Sequence, residues 1–167
     1  VYEAYHDDEW GVPIRDDREL FAKLMLDGFQ AGLSWSTILY KRDNFDRAFD
    51  RWNPERIAAY TQDDLDRLLA DPGIVRNRLK VNGAVKNARA YLQLVEDEGS
   101  FSDYLWGFVD GEPIIRRPTG LEDFRATSPE SDAMSKALKQ RGFTFVGSTI
   151  VYAFMQAVGM IDDHIQG

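Results

Sequence analysis

Residues 61–80 read TQDDLDRLLADPGIVRNRLK. Thr61 and Asp64 stand at capping-box spacing. Leu65, Leu68 and Leu69 share one helical face, so a helix is expected over 61–70. Asp71-Pro72-Gly73 then breaks the chain, and the apolar pair Ile74-Val75 pins the turn. From about Lys80 a longer helix is expected to run to Glu98. The unit is helix, tight hairpin, basic helix. Between 71 and 92, Arg76, Arg78, Lys80, Lys86 and Arg89 are opposed by Asp71 alone. Backbone amides at a helix start beside such cations suit a phosphate. The other reading is an ordinary helix-turn-helix corner with solvated charges.

Helical patterns continue on both sides. Asp16 or Asp17 caps a helix to about Gly28, with Leu20, Phe21, Leu24 and Met25 on one face. Ser34 caps a second over roughly 34–41. Short helices are expected near 44–51 and 54–60, the latter with Pro54 in its first turn. Ser100 caps a short aromatic helix carrying Phe101, Tyr104, Leu105 and Phe108. Pro113 and Pro118 make 109–120 an extended loop. Ser131 or Asp132 caps a helix over 132–141, which Gly142 ends. Residues 147–159 are apolar nearly all round, which marks a central buried helix. No segment alternates with period two. The expectation is an all-α fold of eight or nine short helices in two lobes, forming one domain over 1–167 with the hairpin element at about 61–92.

A hydrophobic fraction of 44% supports an ordinary globular core. The absence of cysteine excludes a disulfide framework and a catalytic thiol. No apolar run approaches a membrane span and no signal-like segment opens the chain, so a cytoplasmic protein without a membrane partner is expected. The net charge of −8 argues against nucleic acid over the molecule as a whole. The hairpin cluster, and a second one at Lys136, Lys139 and Arg141, leave room for a local phosphate-binding face. The chain begins at Val1 rather than Met and stops at Gly167, and trimmed termini are expected.

Residues 26–35, LDGFQAGLSW, carry the most pointed chemistry. Asp27 ends an apolar helical pattern, Gly28 and Gly32 interrupt it, and Trp35 opens the next run. An aromatic plane can stack a flat ligand, an acid can read its edge, and Leu33 can wedge into space something else has vacated. The plainer reading makes Leu33 and Trp35 core residues and Asp27 a helix-end hydrogen-bonder. In the opening loop, Tyr2, Tyr5 and Trp10 are many rings for residues 1–15. His6 with Asp7, Asp8 and Glu9 lacks the usual transition-metal spacing. There is no glycine-rich phosphate loop, no serine nucleophile elbow and no His-Glu-x-x-His motif. Two histidines without cysteine cannot complete a four-ligand zinc site unless carboxylates or residues beyond this sequence join.

Several motifs, in order, carry a resemblance. They are Tyr5-His6-Asp7-Asp8-Glu9-Trp10-Gly11-Val12-Pro13, Gln30-Ala31-Gly32-Leu33-Ser34-Trp35, Asn87-Ala88-Arg89-Ala90-Tyr91-Leu92, Ser135-Lys136-Ala137-Leu138-Lys139, Arg141-Gly142-Phe143 with Phe145-Val146-Gly147, and Asp163-His164. Together they resemble the bacterial 3-methyladenine DNA glycosylase I family over essentially the whole chain. The resemblance implies a helix-hairpin-helix DNA glycosylase fold and excision of 3-methyladenine from alkylated double-stranded DNA by a monomeric enzyme. Tyr5 and Trp35 match the residues that contact and stack on the flipped base, with Trp10 expected beside them. Asp27 falls where the family has a glutamate that reads the base edge. Gly32 and Leu33 match the plug that enters the duplex. Gly73, Arg76, Arg78 and Lys80 match the phosphate-gripping hairpin. His6 and His164 match two zinc ligands, whose cysteine partners would fall before Val1 and after Gly167. Two departures follow: aspartate in place of glutamate, and an incomplete zinc set. A non-catalytic sensor of alkylated DNA is the second function class, and a hydrolase built on Asp7, Asp8 or Glu9 the third.

Overall fold

The computed structural model of the chain describes residues 13–30, 35–115 and 126–162, with residues 35 and 37–40 described by backbone alone. Among these are eight α-helices: α1 (Asp17–Gln30), α2 (Trp35–Ala48), α3 (Pro54–Ala58), α4 (Gln62–Leu69), α5 (Arg78–Glu98), α6 (Phe101–Trp106), α7 (Pro129–Gln140) and α8 (Ser148–Ala157). The all-α expectation holds. One short exception is a parallel pair of two-residue strands, β1 (Ile114–Ile115) on β2 (Ile161–Asp162). Pro113 keeps this segment out of helix, and two residues are too few to leave a period-two signal.

Local chemistry explains the boundaries. Asp16, not Asp17, caps α1: its carboxylate accepts from the Glu19 amide at 3.0 Å. Asp17 caps a different helix, accepting from Ser100 Oγ and from the Phe101 and Ser102 amides at the start of α6. The helices expected at 34–41 and 44–51 are one helix, α2, because Phe45 and Ala48 extend its buried face and no breaker intervenes. It ends in a left-handed turn, with φ of 52° at Asp50, 54° at Arg51 and 60° at Trp52. Such backbone is unfavourable for side-chain-bearing residues. Arg18, whose guanidinium donates to the Arg51 carbonyl, and the Trp52 indole, which donates to Asp46, hold it. α7 begins at Pro129 rather than 132. Ser128 is the cap, exchanging hydrogen bonds with Ser131, and Pro129 takes the first helical position, where its missing N–H costs nothing.

Two aromatic groups fill the core on either side of α1. Phe45, Phe49, Trp52 and Tyr60 form one group of stacked rings, against which the Phe29 ring packs at a tilt. Phe21, Tyr91, Phe101 and Phe143 meet on the side of α6. Both belong to one continuous hydrophobic core. α8 is buried at Val151, Tyr152, Phe154, Met155 and Ala157, as its composition implied. α1 goes further. It packs against α2, α5, α6 and α8, and Lys23 through Phe29 are all buried.

Candidate functional site

Enclosing α1 on so many sides places two charged groups inside the protein. Lys23 and Asp27 are one helical turn apart and so share a face. They are 8% and 6% exposed, and Lys23 Nζ lies 3.5 Å from Asp27 Oδ1. Burial pushes the Asp27 carboxyl up from 3.8 to about 6, and the neighbouring ammonium limits the rise. The other oxygen, Oδ2, has no hydrogen-bond partner among the described residues. Leaving a buried carboxylate oxygen unsatisfied costs about 1–3 kcal/mol or more. Folds retain such groups where a ligand completes them. Asp27 also stands on the last turn of α1, four residues before the segment 31–34 and eight before Trp35, the first residue of α2.

A tight joint fixes that last turn. Phe145 adopts φ 58°, a conformation rare for a bulky residue. Its backbone and Cβ lie against Gly28, and its ring against Gly83. A Cβ on Gly83 would stand 2.9 Å from the ring, so this helical position takes only glycine without displacement. Asn87 clamps the preceding residue, donating to the Thr144 carbonyl at 3.0 Å and accepting from the Thr144 amide at 2.7 Å. The motifs around Asn87 and around Phe143–Gly147 are therefore one piece of structure, a brace between α1 and α5.

The hairpin joins the same brace. Asp71 accepts from the Gly73 amide at 2.7 Å, Ile74 is buried, and Asn77 caps α5 through the Lys80 amide. Gly73 is fixed by crowding, since a Cβ there would lie 3.0 Å from Asn44 and Asp71. Arg76 and Arg78 are exposed. The Lys80 ammonium donates to the Phe29 carbonyl at 3.0 Å, tying the hairpin helix to the end of α1. That bond puts the basic hairpin and the Asp27 turn in one neighbourhood. The second basic cluster is reduced, because Arg141 is paired with Asp97 and Glu98 and lies over the Tyr104 ring.

Tyr5, His6, Trp10, Gly32, Leu33 and His164 lie outside the described residues, as does the ring of Trp35. The described residues contain no group of three or more histidine, cysteine, aspartate or glutamate side chains able to hold a metal. The chain has no cysteine. Nothing among the described residues therefore fits a zinc site. No described helix is long and apolar enough to cross a membrane. Asn87 and Phe145 stand in motifs visible in the sequence, but the brace they form was not legible there, and Lys23 was not singled out. The signal for Lys23 is its place four residues before Asp27, which reads as a solvated pair unless α1 is known to be enclosed.

The family profile described as methyladenine glycosylase matches residues 1–167. DNA-3-methyladenine glycosylase 1 of Escherichia coli (strain K12) is 47% identical over 167 residues, covering 100% of this chain and 89% of that protein. A crystal structure of 3-methyladenine DNA glycosylase I superposes with a TM-score of 0.95 at 51% identity, covering 99% of this chain and 91% of the other. A tyrosine-to-phenylalanine variant of 3-methyladenine DNA glycosylase I, solved in complex with 3-methyladenine, superposes at 0.94 with 39% identity, over 99% of this chain and 89% of that one. Sharing sequence over its whole length and an all-α fold with these enzymes, the chain belongs to the methyladenine glycosylase family.

Proposed function

We propose that this protein is a monofunctional DNA glycosylase that releases 3-methyladenine from alkylated double-stranded DNA, acting as a monomer in the cytoplasm. The observation that carries the reading is the buried Asp27 carboxylate with one oxygen open, on the turn that leads to Trp35. The damaged nucleotide leaves the base stack and enters a slot walled by Tyr5, Trp10 and Trp35, while Gly32 and Leu33 occupy the gap in the duplex. Arg76, Arg78 and the amides around Gly73 grip phosphates. Lys80 serves the site indirectly, by holding the hairpin to α1.

3-Methyladenine is cationic while bonded to the sugar and is already a good leaving group. Extraction, stacking and charge complementarity supply much of what the reaction needs. Aromatic faces favour a cationic base through their quadrupoles, and a carboxylate in low dielectric favours it further. The N-glycosidic bond breaks with its electron pair going to the base, and water adds its oxygen to the sugar carbon and gives up a proton. The products are free 3-methyladenine and an abasic site. Zinc held by His6 and His164 would tie the chain ends together.

Incubation with methylated duplex DNA, followed by chromatography of released bases, tests the proposal. Free 3-methyladenine is the expected product. Tight binding to methylated DNA with no release is the outcome that identifies a non-catalytic sensor. Neither binding nor release would end both readings.

A further inference from the structure

The Lys23–Asp27 pair contributes little as a source of stability. Burying two charges is expensive, and a pair of this kind commonly does no better than apolar residues of similar size. At 3.5 Å the contact is an ion pair rather than a short hydrogen bond. It engages Oδ1 and leaves Oδ2 without a hydrogen bond among the described residues. The geometry is that of a cation standing behind an acceptor. Oδ1 is turned toward the ammonium, and Oδ2 keeps its lone pairs.

We infer that Lys23 is a positioning residue for base recognition, holding Asp27 as a carboxylate so that its open oxygen accepts a hydrogen bond from the exocyclic amine of an adenine-type base. This rests on the reading of Asp27 as the group that meets the base. An amine is a donor, so only the ionised acid offers it an acceptor at either oxygen. A buried carboxyl without a cation would be protonated near neutral pH. Among the described residues, the helices packed on α1 supply no substitute. Lys80 of α5 gives its ammonium to Phe29, and Tyr91 of α5 lies toward Asp16 and Asp17 at the far end. Asp46 of α2 takes the Trp52 indole, Asp103 of α6 is exposed, and Tyr152 is the titratable side chain of α8. Among the described residues Lys23 is the charge that acts on Asp27.

The test is the affinity for free 3-methyladenine as a function of pH in wild type, Lys23→Met, Lys23→Arg and Asp27→Asn. All four proteins meet the same mixture of ligand protonation states at each pH, so affinities are compared with wild type at one pH at a time. Lys23→Met should bind roughly tenfold or more weakly near neutral pH, corresponding to an acidic limb displaced upward by about two pH units. It should recover to within about threefold of wild type once the pH exceeds the displaced limb. Lys23→Arg should retain the wild-type profile. A Lys23→Met profile that superposes on wild type overturns the inference. So does a loss that is uniform at every pH, which is the mark of a packing defect. Asp27→Asn separates the underlying reading. If it binds the base as wild type does, Asp27 does not meet the base. If it binds poorly while Lys23→Met is unaltered, the error lies with Lys23 alone.

Discussion

Asp27 is held at a cost to the fold. Its carboxyl titrates near 6 instead of 3.8, so the folded protein binds this proton more tightly than the unfolded chain. Protonation therefore adds stability as pH falls from above about 6 toward 3.8, and ionisation withdraws it as pH rises. Replacing both members, as Lys23→Met with Asp27→Asn, removes the buried charges together. We expect the double variant to be as stable as wild type or more stable by about 1–3 kcal/mol near pH 7, by urea denaturation. The gain should shrink as the pH is lowered to about 5. A double variant less stable than wild type near pH 7 would mean that the pair supports the fold. Asp27 was legible in the sequence, because an acid closing an apolar helical pattern and followed by glycine is conspicuous. Lys23 was not. Glu19, Lys23 and Asp27 at four-residue spacing look like a solvated charged stripe, and only the helices packed around α1 bury its Lys23 and Asp27 end while Glu19 stays exposed.

At the scale of elements, the sequence announced several helices through their first turns: Thr61 with Asp64 and Ser100 as caps, and Pro54 as a first helical residue. It erred where two signals competed. Ser131 is a good capping residue, yet Ser128 with Pro129 one step later makes the better start, and Ser131 is left as its buried partner. Strong motifs were visible at Asn87 and at Phe143–Gly147, but their purpose was not, since the contact between them spans 57 residues. The brace they form makes a specific claim about Gly83. Alanine in place of glycine inside a helix ordinarily stabilises by about 1 kcal/mol. Here the added methyl meets the Phe145 ring at 2.9 Å, and overpacking of that kind costs about 1–3 kcal/mol. Gly83→Ala should therefore destabilise the protein in urea denaturation. A net gain of about 1 kcal/mol would show that Phe145 gives way easily and that the brace is loose.

For the molecule as a whole, a net charge of −8 and a DNA substrate are compatible because a local group of cations can meet phosphates on an acidic protein. With Arg141 engaged by Asp97 and Glu98 and Lys80 donating to Phe29, Arg76 and Arg78 remain at the hairpin, whose helix is bonded to the end of α1. Composition gave the sign of the whole and could not give this arrangement, which depends on which arginines find carboxylates after folding. The central claim is that the end of α1 reads the damaged base through Asp27. Single-turnover release of 3-methyladenine from methylated duplex DNA measures it most directly, with wild type beside Asp27→Asn and the Lys23→Met, Asp27→Asn double variant. Both variants should retain the wild-type circular dichroism spectrum and release the base at least about tenfold more slowly, the scale of losing one charge-complementing group in a dry site. Release at the wild-type rate by either folded variant would contradict the claim.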